Sequence, residues 1–486
     1  MKLGELTARL TGAEVGADPA AEVNHVTHDS RAVRPGSLFV AIRGLVTDGN
    51  RFAAAAREKG AVAVVSEAPA EKGVPWIRVP DARVALAVMA AAVLGDPASA
   101  LQLVGVTGTN GKTTTTYLIE SALREAGHRV GLVGTVEYRV AGRAVEASRT
   151  TPESSDLHAL FRQMVDERCT HAVLEVSSHS LELKRVHGCF FRVAVFTNLT
   201  RDHLDFHGDM DRYFAAKRLL FDTLLRADGH AVINLDDDRA AELIRATRGH
   251  VWTYSLKQPA DLRARDVSLS LEGTRFVADT PVGSFPVSAP LIGRFNVKNL
   301  LAALGAALAL GVPPETALRG LGAVGGVPGR LEPVRAGQDF TVVVDYAHTD
   351  DALRNVLETV RDLRPRRIIT VFGAGGDRDR TKRPLMGAVA SRLSDVVVVT
   401  SDNPRSEPPE AIIDEVERGM NGAHGAPERH RVVDRREAIE RALSMARPGD
   451  AVVIAGKGHE PYQVLRDRTI PFDDRRVARE ILERHG

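Results

Sequence analysis

Near residue 100 the chain reads LQLVGVTGTNGKTTTTYLIESALREAG, and no other stretch limits its architecture so tightly. An apolar, strand-like run enters a loop carrying Gly105, Gly108 and Gly111. Hydroxyl residues follow, then an apolar face at Leu118, Ile119, Ala122, Leu123 and Ala126 that stops at Gly127. The pattern predicts strand, tight turn and helix. Such a turn points several backbone N–H groups at one place, and the helix start adds its positive dipole, so phosphate is favoured there. Gly108, Thr109, Asn110, Gly111, Lys112, Thr113 and Thr114 are the candidate contacts. Lys112 suits β/γ-phosphates and the Thr113 hydroxyl suits magnesium. The strict phosphate-loop pattern wants glycine at Val106, so this is a variant of that motif. A structural turn alone does not need Gly-Lys-Thr followed by further hydroxyls.

A chain of 486 residues has room for roughly three domains. Its 44% hydrophobic and 26% charged content is that of a globular chain with a large core. The 64 basic and 63 acidic residues leave a net charge of +1, which gives no general electrostatic reason to expect nucleic acid as a partner. Cys169 and Cys189 are the only cysteines, which excludes a disulfide framework and a four-cysteine zinc site. MKLGELTARLTG reaches Glu5 before any sustained apolar run, and VALAVMAAAVLG ends near Pro97, short of the ~20 residues that span a bilayer. A cytoplasmic monomer without stable membrane insertion is the expectation.

The expected fold class is α/β in three domains. Residues 1–98 form a small α/β unit around SLFVAI and AVAVV. Residues 99–328 form a central, mostly parallel-sheet nucleotide domain with the strands RVGLVG, HAVLEV, RVAVFTNL and HAVINLD. Tyr254 to Pro290 has short alternating runs suited to an antiparallel edge, NVKNLLAALGAALALG is helical, and GGVPGR has linker composition. Residues 329–486 repeat the strand–helix rhythm in a Rossmann-like domain through TVVVDYAH, RRIITVFGAGG, DVVVVTSDNPR and AVVIAGKGHE.

Open α/β sheets collect ligands beyond the carboxyl ends of their strands, and the chain's remaining chemistry-bearing residues fall there. Glu175 ends HAVLE, while His203, Asp205 and His207 follow VAVFTN. Thr113, Glu175 and His203 can complete a magnesium shell, although a lone acid at a strand end is often only a cap. Asp345 and His348 follow TVVV, Lys382 follows GAGGDRDRT, and Arg330 in the linker is placed to swing onto a phosphate on domain closure. In SDNPRSEPPE, the Arg405 fork suits a carboxylate and Asp402 an ammonium, with Asn403 between them. GKGHEPYQ adds Gly456, Lys457, His459 and Glu460, the last able to meet a second ammonium.

DSRAVRPGSLFVA, GVTGTNGKTTTT, TTPES, EVSSHSLEL, TNLTRDHLDFHG, GRFNVKN, PGRLE, DYAH, GGDRDRTKRP, DNPR and GKGHEPYQ occur in one order along nearly the whole chain, which resembles the Mur ligase family. The resemblance implies an N-terminal UDP-recognising domain, a central ATPase domain and a C-terminal Rossmann-like domain that binds an amino acid. It implies ATP and two magnesium ions as cofactors, with Asn296, Arg330, Asp345 and Lys382 on the ATP side. Ser30, Thr150, Thr151, Ser177 and Arg185 would contact the UDP-sugar-peptide, UDP-N-acetylmuramoyl-L-alanyl-D-glutamate. Arg378, Asp402, Asn403, Arg405, Gly456 and Glu460 would hold meso-2,6-diaminopimelate, the amino acid associated with the DNPR form. The reaction implied is amide formation through an acyl phosphate, with Lys112, Glu175, His203 and Lys217 in the catalytic machinery. Lys217, in YFAAKRLLF, would carry an N-carbamate (N6-carboxylysine) supporting metal; composition alone makes it a solvated helix lysine. Asp350, Ala374 and Leu183 depart from common family residues. The first bears on how the helix after Tyr346 starts, the last on one substrate contact. Amide ligases adding lysine or making folylpolyglutamate, a nucleotide-hydrolysing switch and a non-catalytic scaffold are the competing readings.

Overall fold

The computed structural model describes residues 1–44, 47–70, 72–145, 147, 149–420 and 427–485. Three successive sheets organise it. The first has five strands, with Ser37–Val40, Ala63–Ser66 and Trp76–Arg78 running parallel and Glu14–Gly16 antiparallel at one edge. All but the last two residues of VALAVMAAAVLG lie in the helix Ala82–Val93, started by the Asp81 carboxylate accepting from the N–H groups of Arg83 and Val84 (both 2.9 Å). Its apolar face packs on that sheet through Ala85, Leu86 and Met89. Among the described residues no helix is long and apolar enough to cross a membrane.

The second sheet has eleven strands and positions the phosphate loop. Gln102–Thr107 is flanked by Phe191–Phe196 on one side and His171–Glu175 on the other, all parallel, so three carboxyl ends open side by side. Side chains alternate across the sheet: Val104 and Val106 join one core with Leu118, Leu123 and Leu300, while Leu103 joins the opposite core with Phe161 and Phe221. Truncating one such buried side chain to alanine costs about 2–5 kcal/mol. The run from Tyr254 to Pro290 forms Leu262–Ser270, Gly273–Thr280 and Gly283–Ala289, an antiparallel edge. The opposite edge, through Tyr138–Val140 and Arg143–Val145, is also antiparallel, a feature the apolar-run pattern had not signalled. The helix Pro314–Gly322, also unforeseen, packs on Lys112–Glu125 and delays the linker.

The third sheet has Thr341–Asp345, Ala451–Ala455, Ile368–Phe372 and Val396–Val399 in that spatial order, all parallel. Asp345, Gly456, Gly373 and Asp402 therefore emerge along one edge. The helix Asp350–Asp362 starts normally despite Asp350, because the Thr349 hydroxyl accepts from the Ala352 N–H (3.2 Å).

Candidate active site

A cavity of about 240 Å³ lies where the second and third sheets face each other, and the loop after Gln102–Thr107 forms its floor. The chain turns through Gly108 at φ +148°, where a Cβ would collide with the Thr197 hydroxyl, so only glycine fits. Gly111, at φ +86°, opens the helix Lys112–Glu125, and Thr109 to Thr114 line the cavity. Asn198 clamps the loop tip: its Oδ1 accepts from the Asn110 N–H (2.9 Å) and its Nδ2 donates to the Asn110 carbonyl (3.1 Å).

Positive charge converges here. Lys112 Nζ donates to the carbonyls of Gly108 and Thr109 (both 2.8 Å), and Lys217 Nζ donates to that same Gly108 carbonyl (2.9 Å). Lys217 is 2% exposed and its ammonium lies 4.5 Å from the Tyr213 ring centre. Burial first, and the nearby Lys112 charge second, hold its pKa well below the usual lysine range. Lys112 is also lowered by burial, opposed by Glu175 and Asp202. Arg330 arrives from the linker with Nη2 donating to the Thr113 hydroxyl (3.1 Å) and its guanidinium 4.7 Å from the Tyr346 ring centre.

The acids lie close by. Glu175 is 1% exposed and accepts from the Thr135 N–H (2.8 Å) and hydroxyl (2.9 Å), while His203 Nε2 lies 3.3 Å from an Asp202 oxygen. Asp345 accepts from the Leu331 N–H (2.6 Å), and burial pushes its carboxyl up to about 6. His207 bonds Ser178 (2.9 Å) and supports its loop. Among the described residues no group of three or more His, Cys, Asp or Glu is placed to hold a metal alone. Thr113 and Glu175 are hard oxygen donors that both line the cavity. They fit magnesium, which takes few protein ligands and completes its shell with phosphate and water.

Two approaches lead into this cavity. On one side Ser30, Leu183 and Arg185 line a groove between the first two sheets. The Ser30 carbonyl accepts from Lys59 (2.8 Å); Arg185 is held by Glu153 (2.9 Å) and donates to the Thr151 carbonyl (3.1 Å). The Thr151 hydroxyl donates to the Glu175 carbonyl (2.7 Å), Thr150 bonds Thr135 (3.0 Å), and Thr150 and Ser177 face the cavity itself. Hydrogen bonds thus link Arg185 through Thr151 to Glu175, and Ser30 lines the same groove as Arg185.

On the other side the Tyr346 hydroxyl donates to Glu460 (3.4 Å), which also accepts from Asn403 Nδ2 (2.8 Å) and Lys457 (3.1 Å). Arg405, at φ +54°, donates to the carbonyls of Gly376 (2.8 Å) and Asn403 (3.4 Å); Arg378 donates to the Asp377 carbonyl (3.0 Å).

Three residues sit differently from the sequence expectation. Asn296 is 3% exposed and spends its amide on the Ile292 carbonyl and Asn299 (both 2.9 Å); Asn299, one turn further along the same helix, lines the cavity. Asp402, read as an ammonium partner, is 7% exposed and caps the Asn403 N–H (2.7 Å) beside Gly456, whose φ of +118° and lack of a Cβ permit that approach. Lys382 opens its helix outside the cavity lining, its charge acting on Asp202 and His348. Sequence reading passed over Asn198, Asp202 and Asn299, although TNLTRDH and the i, i+3 spacing of GRFNVKN carry them. It also missed Asp351, which accepts from Asn110 Nδ2 (2.9 Å) and joins the loop tip to the third sheet's first helix.

A phosphate loop at the middle of a parallel sheet, facing a Rossmann-like domain across a linker arginine, defines a class of ATP-dependent ligases. Family models for the Mur ligase family catalytic domain, the Mur ligase middle domain and the Mur ligase glutamate ligase domain match residues 22–94, 106–307 and 329–458. The chain belongs to the Mur ligase family. It is 52% identical over 473 residues, covering 96% of this chain and 94% of the relative, to the UDP-N-acetylmuramoyl-L-alanyl-D-glutamate--2,6-diaminopimelate ligase of Solibacter usitatus. It is 48% identical to the protein of that name from Geobacillus thermodenitrificans, with 99% of each chain covered. A solved structure of a UDP-N-acetylmuramoyl-L-alanyl-D-glutamate--2,6-diaminopimelate ligase aligns at TM-score 0.70 and 36% identity, over 100% of this chain and 99% of the other.

Proposed function

We propose that this chain joins meso-2,6-diaminopimelate to the D-glutamate γ-carboxylate of UDP-N-acetylmuramoyl-L-alanyl-D-glutamate, consuming ATP, in the synthesis of peptidoglycan precursors. The observation that carries the reading is the cavity where Lys112, Lys217 and Arg330 converge, joined on one side by the bonds from Arg185 through Thr151 to Glu175 and on the other by Tyr346 with Glu460.

A carboxylate does not react with an amine at neutral pH. The γ-carboxylate therefore attacks the γ-phosphorus of ATP, ADP leaves, and the acyl phosphate is then displaced by the incoming amine with release of phosphate. Lys112 and the loop N–H groups stabilise charge on the transferred phosphoryl oxygens, and Arg330 covers them when the two sheets close. Thr113 and Glu175, with His203 beside them, would hold magnesium, which would supply charge neutralisation to the phosphates. Ser177, Thr150, Thr151 and Arg185 orient the peptide end of the substrate, while Ser30 sits at the UDP end. Asp345 lies on the nucleotide side, and Lys382 acts on it from outside the cavity through its charge on Asp202 and His348.

The buried, pKa-lowered Lys217 suits carbamylation, in which the neutral amine adds to carbon dioxide and releases one proton. The product replaces one of two adjacent cations with an anion beside the metal donors. Arg405 and Arg378 meet the remote carboxylate of the diamino acid, and Glu460 with Asn403 meets its ammonium. Lysine lacks that carboxylate and leaves the Arg405 fork without an anion. A ligation assay with ATP, magnesium and the UDP-linked dipeptide, comparing meso-2,6-diaminopimelate, L-lysine and D-glutamate, tests the reading. ADP release driven by meso-2,6-diaminopimelate supports it, and equal turnover with lysine removes the specificity claim.

A further inference from the structure

Below the amino-acid loops lies an ion pair that the reaction scheme does not use. Arg435, at the start of the helix Arg435–Met445, and Asp474, at the start of Asp474–His485, have fully buried side chains. Arg435 Nε and Nη2 donate to the two Asp474 oxygens (2.8 and 2.7 Å), a bidentate fork. Replacing a buried pair of this kind by apolar residues of similar volume is often neutral for stability, so its presence is weak evidence of a stabilising role.

The remaining donors of Arg435 show what the pair does. Nη2 also donates to the Ala455 carbonyl (3.0 Å), and Nη1 donates to the Ser401 carbonyl (3.3 Å). Ala455 immediately precedes Gly456 and Lys457; Ser401 immediately precedes Asp402 and Asn403. Their strands are not neighbours, since Ile368–Phe372 runs between Ala451–Ala455 and Val396–Val399. One guanidinium thus spans the intervening strand and ties two recognition loops together from beneath. Above it, Gln463 donates to the Asp402 carbonyl (2.6 Å), and Lys457 donates to both Asn403 (3.2 Å) and Glu460 (3.1 Å).

Resting on the proposed ligase reading, we infer that Arg435, fixed by Asp474, is a positioning residue. It sets the spacing between the Asn403–Arg405 loop and Glu460, and through that spacing the affinity and selectivity for the diamino acid. The cradle holds the two ends of one ligand, so a change in loop separation misplaces one end whenever the other binds.

Arg435→Lys keeps a charge but cannot reach both carbonyls and the carboxylate. Asp474→Asn keeps the shape and weakens the fork, which guards against a folding failure in the first variant. Steady-state kinetics is run on both variants and the parent chain, varying each substrate in turn. In Arg435→Lys, KM for meso-2,6-diaminopimelate rises about tenfold and its preference over lysine falls about tenfold, with ATP and UDP-substrate KM within about twofold. Asp474→Asn shows the same pattern at about threefold. A parallel rise in all three KM values, or an unchanged diamino-acid KM in either variant when folded, overturns the inference. A parent chain that ligates no diaminopimelate overturns the function reading instead, so the two failures are told apart.

Discussion

The phosphate end and the amino-acid end of the cleft are both loops at the carboxyl edge of a parallel sheet, and they handle positive charge in opposite ways. At the phosphate end Lys112 and Lys217 share one carbonyl, and Arg330 donates to a hydroxyl. At the amino-acid end most cations are already matched: Lys457 with Glu460, Arg435 with Asp474, and the fully buried Arg383 with Glu407 and Glu415. Among the described residues the half-buried Arg405 and the exposed Arg378 differ, donating to carbonyls alone. A cation buried against carbonyls gains less than one buried against a carboxylate. On the proposed reading Lys112, Arg330 and the half-buried Arg405, which meet only neutral oxygens among the described residues, are the cations left for anions, a triphosphate at one end and one carboxylate at the other. The paired cations hold loops in place.

The sharpest way to break this comparison is to remove one cation from each end and ask which substrate suffers. Lys112→Ala should lower acyl phosphate formation by about a thousandfold or more, while binding of the UDP-linked substrate stays within about twofold. Rapid-quench detection of the acyl phosphate, beside a direct binding titration, checks it; unchanged turnover would remove Lys112 from its role. Arg405→Ala should raise KM for meso-2,6-diaminopimelate by about a hundredfold with little change for ATP. Equal loss of both affinities would point to a damaged fold and erase the contrast between the ends.

A smaller effect sharpens the phosphate side. If burial prepares Lys217 for carbamylation, turnover should fall about tenfold in buffers stripped of carbon dioxide and recover on adding bicarbonate. Intact-mass measurement before and after stripping should show loss of one carbon dioxide, absent in Lys217→Arg. Insensitivity to bicarbonate with no mass change would leave Lys217 a plain cation.

How much of this was legible in the sequence differs between the ends for physical reasons. The phosphate loop is local: strand, glycines, Lys112 and helix are contiguous, so spacing alone announced them, and the apolar face from Leu118 to Leu123 is buried as its period required. The strand runs and the antiparallel section after Tyr254 were legible through the same short-range alternation. Contacts made across the fold were not. Nothing near Arg435 hints that its guanidinium reaches Ala455 and Ser401, and nothing near Asp351 hints at Asn110, because sequence separations of that size carry no periodic signal. Asn296 shows a third case. Its motif was found, but three residues of helix rotation decide which asparagine faces the cavity. Lys217 is the extreme one, since its burial depends on how an ordinary-looking helix packs beneath the loop.

Asp345 supplies the mildest test, because it measures the cleft's electrostatics without any substrate. Its carboxyl ionises at 3.8 when unfolded and at about 6 in the folded chain, where burial outweighs the pull of Arg330. Between those values the folded chain holds the extra proton, so rising pH removes stability, at most about 3 kcal/mol once both forms are ionised. Asp345→Asn cannot ionise. The stability difference between variant and parent should therefore move in the variant's favour as pH rises from about 4 to about 6 and stay level above that. Urea unfolding across this range reads it directly. A flat difference would mean that Arg330 compensates Asp345 fully, which would return the linker arginine to the paired cations and leave Lys112 as the cation facing the incoming phosphate.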